Sequence, residues 1–88
     1  YAQEVEKVLL EHPAVAEAAV IGVPRSISGE IVKAFIVLKK DEKATSKDLI
    51  EHCKKKLSYY KVPRIIDFLS EMPRSSIGEI LKRKLEKE

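Results

Sequence analysis

Two apolar runs, at residues 15–23 and 31–38, do most to constrain what this chain can fold into. The first run is interrupted only by Glu17, and the second contains Phe35 among β-branched neighbours. Short apolar runs that are bounded by glycine and proline are typical of buried strands. Residues 24–30 lie between the runs and are rich in breakers and small polar groups, so two strands that flank a loop are predicted.

An amphipathic helix is predicted over residues 2–11, ahead of the first strand. Apolar side chains recur there at the spacing of one helix face, at Val5, Val8 and Leu9. The helix is expected to end at His12, because the residue before a proline avoids the helical conformation and position 13 is a proline.

A second helix is predicted after the polar connection at residues 39–44. Thr45 or Ser46 suits the N-cap position, where a side-chain oxygen accepts a backbone N–H. Asp48 is favourable near the positive end of the helix dipole. The lysines at 54–56 fall late in this helix and are interpreted as its solvated end. The apolar side consists of Leu49, Ile50, Cys53 and Leu57.

The last third of the chain predicts one more strand and one more helix. Residues 65–69 are short and apolar, as in a strand, and residues 79–87 resume helical spacing after the turn-prone residues 72–78. The element order is therefore helix, strand, strand, helix, strand, helix. A small three-stranded sheet covered by helices is the simplest way to bury these faces, so an α+β (mixed α/β) fold is predicted.

Composition restricts the class of protein. With 88 residues, 44% of them apolar and 35% charged, the chain suits one folded domain over residues 1–88. The net charge of +3 does not demand a nucleic-acid partner, and no apolar stretch approaches the roughly 20 residues of a membrane span. The single cysteine, Cys53, forms no internal disulfide, which favours a reducing cytoplasm. The chain begins at Tyr1 without a methionine and is expected to be part of a longer polypeptide.

The side chains that carry chemistry in other proteins do not converge in this sequence. His12 and His52 have no spacing that implies a shared metal, so both are expected at the surface and no metal site is predicted. Cys53 shares the apolar side of its helix and is expected to be a small core residue rather than a nucleophile. The three glycines do not form a phosphate-binding loop. The chain is therefore expected to hold no complete active site of its own.

Several short strings, in fixed order along nearly the whole chain, resemble one known family. They are Glu4-Val5-Glu6, His12-Pro13-Ala14-Val15, residues 18–24, Gly29-Glu30, residues 32–38, Tyr60-Lys61-Val62-Pro63 and residues 72–78. Together they resemble the C-terminal domain of the adenylate-forming (AMP-binding) enzymes, which include acyl-CoA synthetases, nonribosomal peptide adenylation domains and luciferases. Residues 1–6 look more like fatty-acyl-CoA ligases than like peptide-synthetase modules.

The resemblance implies a mobile lid rather than a complete enzyme. In this family a large N-terminal domain carries most of the site for ATP, Mg²⁺ and the carboxylic acid, and the small domain closes over it. The small domain then rotates, so that one face serves formation of the acyl-adenylate and another serves transfer of the acyl group to CoA. The chain is therefore expected to work with its own large N-terminal domain, through a hinge that this sequence does not contain, and to be inactive alone.

One loop is implied to reach the nucleotide, and its residues are Arg74, Ser75, Ser76 and Gly78. The family pattern places a lysine directly after that glycine, where its cation stabilises the negative charge that shifts during adenylation. This sequence has Glu79 there, so adenylation is expected to be badly impaired. Three explanations are open: an engineered substitution, a natural relative with lost or altered activity, or a substitute cation, for which Lys82 is best placed.

A second group of residues is implied to meet CoA or the large domain: Gly29, Glu30 and Lys61. Lys61 and Arg74 are the basic residues on the two loops nearest the presumed active face, and surface solvation is the alternative for each. The leading hypothesis is part of an ATP-dependent acid:CoA ligase. Its rivals are a catalytically silent interaction or regulatory module of the same fold, and a domain of a peptide-synthetase adenylation enzyme.

Overall fold

The computed structural model describes residues 2–25 and 29–74 of the chain. These residues contain α1 (Ala2–Leu10), β1 (Val15–Arg25), β2 (Gly29–Leu38), α2 (Ser46–Lys54), a 3-10 helix (Tyr59–Lys61) and β3 (Ile65–Phe68). The order helix, strand, strand, helix, strand and the mixed α+β class are confirmed. The helix predicted over residues 79–87 lies outside the described residues. In the described ranges, neither α-helix has the length and apolarity needed to cross a membrane.

The two apolar runs form an antiparallel pair that is longer than the sequence predicted. β1 and β2 pair from Val15 and Leu38 at one end to Arg25 and Gly29 at the other, with an irregular register between Val15 and Glu17. The loop predicted over residues 24–30 is therefore wrong at both ends, because its first two and last two residues belong to the strands.

Pro24 and Gly29 are tolerated in these strands for separate reasons. Proline lacks an N–H and is suited only to a strand edge. β1 lies at the edge of the sheet, and the N–H of Val20, on the same side of β1 as Pro24, donates to a side chain of α1 rather than to β2. Gly29 has a φ of 79°, a left-handed conformation that glycine adopts without the steric cost of a Cβ.

β3 lies parallel to β2, with Lys33 paired to Ile65 and Ile36 paired to Phe68. The strand order is β1-β2-β3, so β2 is the central strand. Helix α2 lies within the crossover that a parallel pair requires. The third predicted strand is confirmed with one residue fewer, although the N–H of Leu69 still donates to the carbonyl of Ile36 at 2.8 Å.

The first core lies between the two helices and one face of the sheet. Its largest completely buried side chains are Leu9 from α1, Ile36 from β2 and Leu49 from α2. Burying a side chain of this size stabilises a fold by about 1.5 to 3 kcal/mol, so this shared core fixes both helices on the sheet. Its other members are Val5, Val8, Val15, Ala18, Val20, Val32, Ala34, Cys53, Leu57 and Val62.

The opposite face of the sheet is covered as well. Ala19, Ile21, Phe35 and Met72 form a second buried cluster, in which Phe35 is completely inaccessible to solvent. A strand that is covered on one face alternates apolar and polar residues, whereas a strand covered on both faces is apolar throughout. The nearly unbroken apolar runs of β1 and β2 follow from this double burial.

A glutamate of α1 satisfies the open edge of β1. Oε2 of Glu6 accepts a hydrogen bond from the backbone N–H of Val20 at 2.8 Å. An unpaired N–H at a sheet edge invites pairing with another chain, and a charged side chain at the edge prevents it. Helix α1 therefore covers the core with its apolar side and protects the sheet edge with Glu6.

Helix α2 begins with a reciprocal capping arrangement. Oγ1 of Thr45 accepts the N–H of Asp48 at 3.1 Å, and Oδ2 of Asp48 accepts the N–H of Thr45 at 2.9 Å. Thr45 rather than Ser46 is therefore the N-cap, which decides between the two predicted residues. The backbone hydrogen bond from Thr45 is the main reason that the pKa of the Asp48 carboxyl lies below its ordinary value.

Cys53 is a core residue, as predicted. Its side chain is completely buried on the apolar side of α2. Burial disfavours the charged thiolate and raises the pKa of the thiol to about 11. At neutral pH the thiol is therefore protonated and a poor nucleophile.

Removing the N-cap side chain is expected to destabilise the fold. Thr45→Ala should lower the free energy of unfolding by about 1 kcal/mol, because the N–H of Asp48 loses its acceptor. Ser46→Ala is the matched control, since Ser46 is exposed in the first turn and makes no capping hydrogen bond. Urea titrations measure both variants, and equal losses would contradict the assignment of Thr45 as the cap.

The buried thiol predicts a loss of stability in alkaline solution. The unfolded chain loses the thiol proton near the ordinary pKa of 9.0, whereas the folded chain keeps it up to about 11. Between these values the unfolded state binds fewer protons, so the free energy of unfolding falls as the pH rises. Thermal melts across this window should show a shallower decline for Cys53→Ala. Parallel declines in the two proteins would argue against the raised pKa.

Candidate functional site

The site residues implied by the sequence lie on opposite faces of the sheet. Arg74 lies on the side of the second core, where it contacts Glu17, whereas Glu30 lies on the side that α1 and α2 cover. The remaining loop residues, Ser75, Ser76, Gly78 and Glu79, lie outside the described residues. Of the predicted loop, the structure therefore describes Arg74, and the sheet lies between Arg74 and Glu30.

Arg74 is anchored beside the second core. Its guanidinium forms an ion pair with Glu17 of β1, and Met72, two residues earlier, is buried in the same cluster as Phe35. The first residue of the predicted loop is therefore held against the sheet. The arginine side chain is 43% exposed, and a planar guanidinium of this kind suits carboxylate or phosphate oxygens.

The carboxyl group of Glu30 occupies the space that Gly22, which has no side chain, leaves open on the other face of the sheet. A Cβ built on Gly22 would overlap the carboxyl group of Glu30. Gly22 pairs with Val32, a member of the first core, so the carboxylate lies on the side of the helices. With Ala2 and Val20, these residues line a cavity of about 190 Å³. Gly22 was not predicted as a site residue, although a glycine inside an apolar strand signals such a close approach.

Gly29 differs from Gly22, because its glycine is required by the backbone conformation and not by a neighbouring side chain. A Cβ added there would meet no atom within 4 Å, but its φ of 79° would strain any other residue. Gly29 and Glu30 both belong to β2 and not to the loop in which they were predicted. Their contact with CoA or with another domain stays a prediction.

Lys61 ties the 3-10 helix to the first turn of α1. Its Nζ lies 2.8 Å from Oε1 of Glu4 and 5.7 Å from the centre of the Tyr60 ring. The lysine side chain is only 20% exposed, so the partner it meets in this structure is an acid of the same chain rather than solvent. A role of Lys61 toward CoA stays a prediction.

The 3-10 helix presents two tyrosines that the sequence did not single out as site residues. Tyr59 is 90% exposed and Tyr60 is 56% exposed, and their rings meet edge to face with centres 5.6 Å apart. Val62 and Pro63 follow directly and are buried, which holds this turn against the domain. The available signal was a pair of aromatic residues in a turn, where small and polar residues dominate.

Two cavities flank Tyr59 and together form a surface that we call the tyrosine groove. The larger cavity has a volume of about 420 Å³. The smaller has a volume of about 170 Å³ and includes Tyr60 and Glu30 in its walls. Tyr59, Val62 and Arg64 line both cavities. The larger cavity is completed by Ile50, Lys54, Leu57 and Pro63.

The two histidines are each half-buried, between the surface position that was predicted and a core position. Their rings meet edge to face with centres 5.3 Å apart. Nδ1 of His12 accepts the N–H of Ala14 at 3.1 Å, and Nε2 of His52 donates to the carbonyl of Val8 at 2.7 Å. The hydrogen bond of His52 therefore fastens α2 to the end of α1, whereas that of His12 holds the turn that follows α1. Within residues 2–25 and 29–74, no group of three or more His, Cys, Asp or Glu is placed to hold a metal ion.

The lysines at 54–56 form an exposed helix end, in agreement with the sequence interpretation. Nζ of Lys56 lies 3.2 Å from Oε1 of Glu11, and Nζ of Lys54 lies 3.9 Å from Oε1 of Glu51. Exposed pairs of this kind contribute at most about 1 kcal/mol each, so they add little to the stability of the helix end.

Known relatives match the chain along its length. A family model described as the AMP-binding enzyme C-terminal domain matches residues 4–79. A long-chain fatty-acid CoA ligase of Yersinia pestis is 48% identical over 88 residues, which is 100% of this chain and 16% of that protein. The 4-hydroxybutyrate CoA ligase 1 of Metallosphaera sedula is 52% identical over 87 residues, which is 96% of this chain and 15% of that protein. The chain thus spans about one sixth of the length of these relatives.

Solved structures share the fold. A fatty acyl CoA synthetase of Mycobacterium tuberculosis has a TM-score of 0.91 and 37% identity, over 99% of this chain and 17% of that chain. An acyl-CoA synthetase of Brucella canis has a TM-score of 0.90 and 45% identity, over 98% of this chain and 16% of that chain. The resemblance read from the sequence is therefore confirmed, and the chain belongs to the family of AMP-binding enzyme C-terminal domains.

Proposed function

We propose that this chain is the C-terminal lid of an AMP-forming acid:CoA ligase that acts on fatty acids. The observation that carries the proposal is the match of the whole chain to a long-chain fatty-acid CoA ligase at 48% identity, over only 16% of that protein. In the complete enzyme a large N-terminal domain binds ATP with Mg²⁺, the acid and CoA. This chain adds side chains to that site and is inactive alone.

In the first half-reaction, a carboxylate oxygen of the acid attacks the α-phosphate of ATP, the bond to pyrophosphate breaks, and acyl-AMP forms. Residues 74–79 are the loop that the lid delivers to the nucleotide, with Arg74 at its start. The ion pair with Glu17 and the burial of Met72 support this assignment, because they fix the point from which the loop leaves the sheet. The guanidinium then pairs with phosphate or with an acid of the large domain.

In the second half-reaction, the sulfur of CoA attacks the carbonyl carbon of acyl-AMP and AMP leaves. Gly29, Glu30 and Lys61 are the residues assigned to this step. This assignment is supported by the position of Glu30, which lies on the opposite face of the sheet from Arg74. A single orientation of the lid therefore does not present both residues to the same nucleotide. A rotation of the domain between the two half-reactions agrees with this separation.

Glu79 limits the first half-reaction. A lysine at this position would attract the negative charge that shifts during the attack, whereas a carboxylate repels it. Two unit charges about 4 Å apart interact by roughly 4 kcal/mol at an effective dielectric constant of 20, so the contribution changes sign with a magnitude of that order. Adenylation by this protein is therefore slow, whereas transfer from preformed acyl-AMP does not depend on the charge at position 79.

Glu79 also supports a second candidate, a catalytically silent module that keeps the fold and binds a partner. In that case the upstream domain would bind no nucleotide productively, and restoring the lysine would have no effect. A cytoplasmic location stays a prediction for either candidate.

Restoring the lysine is expected to restore adenylation. In the chain joined to its natural upstream region, Glu79→Lys should raise the acid-dependent exchange of pyrophosphate into ATP by about a hundredfold or more, the usual size of one lost electrostatic stabiliser. Glu79→Gln removes the repulsion without supplying a cation and should fall between the two. The exchange rate at saturating ATP and dodecanoate measures the series.

Glu71→Lys is the matched control for charge. Glu71 is exposed shortly before the loop, and its replacement makes the same change in net charge at a position with no assigned role. The exchange rate of this variant should equal that of the unaltered protein. No exchange in any form would favour the silent module, and equal exchange with glutamate and lysine would remove position 79 from the chemistry.

A further inference from the structure

The tyrosine groove has the composition of a protein docking surface. Tyr59 is 90% exposed, and the floor beside it is formed by buried apolar side chains, Leu57, Val62 and Pro63. Tyrosine and arginine are enriched in the cores of interfaces, where they insert into complementary pockets of the partner. An exposed tyrosine next to an apolar groove is therefore the local arrangement that a binding partner would bury.

Among the residues that the structure describes, those with a charge in the lining of the larger cavity are all positive. Lys54 and Arg64 contribute these charges. Nζ of Lys54 lies 3.9 Å from Oε1 of Glu51, whereas Arg64 has no acidic partner among the residues that the structure describes. A guanidinium binds a carboxylate through two parallel hydrogen bonds, so Arg64 selects a partner that carries an acid opposite it.

The turn that carries the tyrosines is held in place before any partner arrives. On one side, Nζ of Lys61 lies 2.8 Å from Oε1 of Glu4. On the other side, the N–H of Arg64 donates to the carbonyl of Val32 at 2.9 Å. A surface that is already ordered loses little conformational entropy on binding. The exposure of Tyr59 is therefore a property of the folded domain and not of a loose loop.

The large domain is the partner whose position fits this surface. In the relatives, the matched C-terminal domain accounts for 16% of the protein, so most of the polypeptide lies ahead of the segment that corresponds to α1. The contact between Lys61 and Glu4 places the tyrosine groove beside the first turn of that helix. A partner tethered so close has a high effective concentration, so a docking surface of modest area suffices.

We propose that the tyrosine groove is the surface on which an acidic patch of the large domain docks during transfer of the acyl group to CoA, an inference that rests on the proposed function. The groove includes Glu30 in its wall and lies on the side of α1 and α2. Arg74 lies on the other side of the sheet. The pose that presents Arg74 to the nucleotide turns the groove away, so burial of the groove belongs to the other pose.

A single-turnover measurement of acyl transfer to CoA tests the proposal. The chain joined to its natural upstream region is mixed with preformed dodecanoyl-AMP and CoA, which bypass the step that Glu79 impairs. Tyr59→Ala and Arg64→Glu should each slow the formation of dodecanoyl-CoA by about tenfold or more. Leu10→Ala and Lys40→Glu are the matched controls, because both side chains are exposed and neither lines the groove. The controls should leave the transfer rate unchanged.

Hydrogen exchange gives a direct view of docking in the same joined polypeptide. With dodecanoyl-AMP and a CoA analogue that lacks the thiol, the amides of residues 57–64 should exchange more slowly than without them. Arg64→Glu should abolish this protection. In the Glu79→Lys background, the groove variants should leave pyrophosphate exchange unchanged, because adenylation uses the pose in which the groove is exposed.

The outcomes separate the inference from the function on which it rests. Unchanged transfer rates in both groove variants would overturn the docking surface while the ligase assignment stands. Equal losses of transfer and of pyrophosphate exchange would overturn the assignment of the groove to one pose. No transfer by the unaltered protein, together with no pyrophosphate exchange after Glu79→Lys, would remove the proposed function and this inference with it.

Discussion

The burial of β2 on both faces is the constraint on which the rest of this structure depends. Phe35 and Ile36 are neighbours in the central strand, and both are completely buried. Because successive side chains of a strand point to opposite faces, each of them needs a separate cover. The two helices supply one cover, and the segment that contains Met72 contributes to the other. This requirement is met by the continuously apolar strands, by the crossover helix on one face and by the return of the chain across the second face.

Double coverage also explains why the candidate site residues are distributed as they are. None of the polar or charged side chains that the structure describes is fully buried, so the candidate site residues lie outside the packed cores. Arg74 meets Glu17 on one face, whereas Glu30 lies over Gly22 on the other. Candidate site residues on opposite sides of one rigid body agree with the proposed rotation of the domain, because both can reach the same place only if the whole domain turns.

Much of the fold could be predicted from the sequence because it depends on local patterns. Apolar periodicity placed α1, short apolar runs placed the three strands, and the capping preference of threonine and serine placed the start of α2 to within one residue. The strand ends at Pro24 and Gly29 could not be predicted this way, because proline is tolerated there only on the outer side of an edge strand. For the candidate site, Arg74 and Glu30 were found through the resemblance of short strings, but their partners were not. Glu17 carries no signal that links it to Arg74, and a glycine at position 22 indicates a close approach without indicating which group approaches.

By itself, the sequence determined the order of the elements in the described part of the chain, the burial of two strands and the membership of one family. Tertiary structure alone decided which polar groups meet: Lys61 with Glu4, His52 with the carbonyl of Val8, and Val20 with Glu6, pairs that are 57, 44 and 14 positions apart. The physical reason is the distance along the chain over which each effect acts. Propensity and periodicity act over a few residues, whereas a hydrogen bond between distant residues exists only after the packing of the core has brought their elements together, and the surface around Tyr59 is a product of that packing.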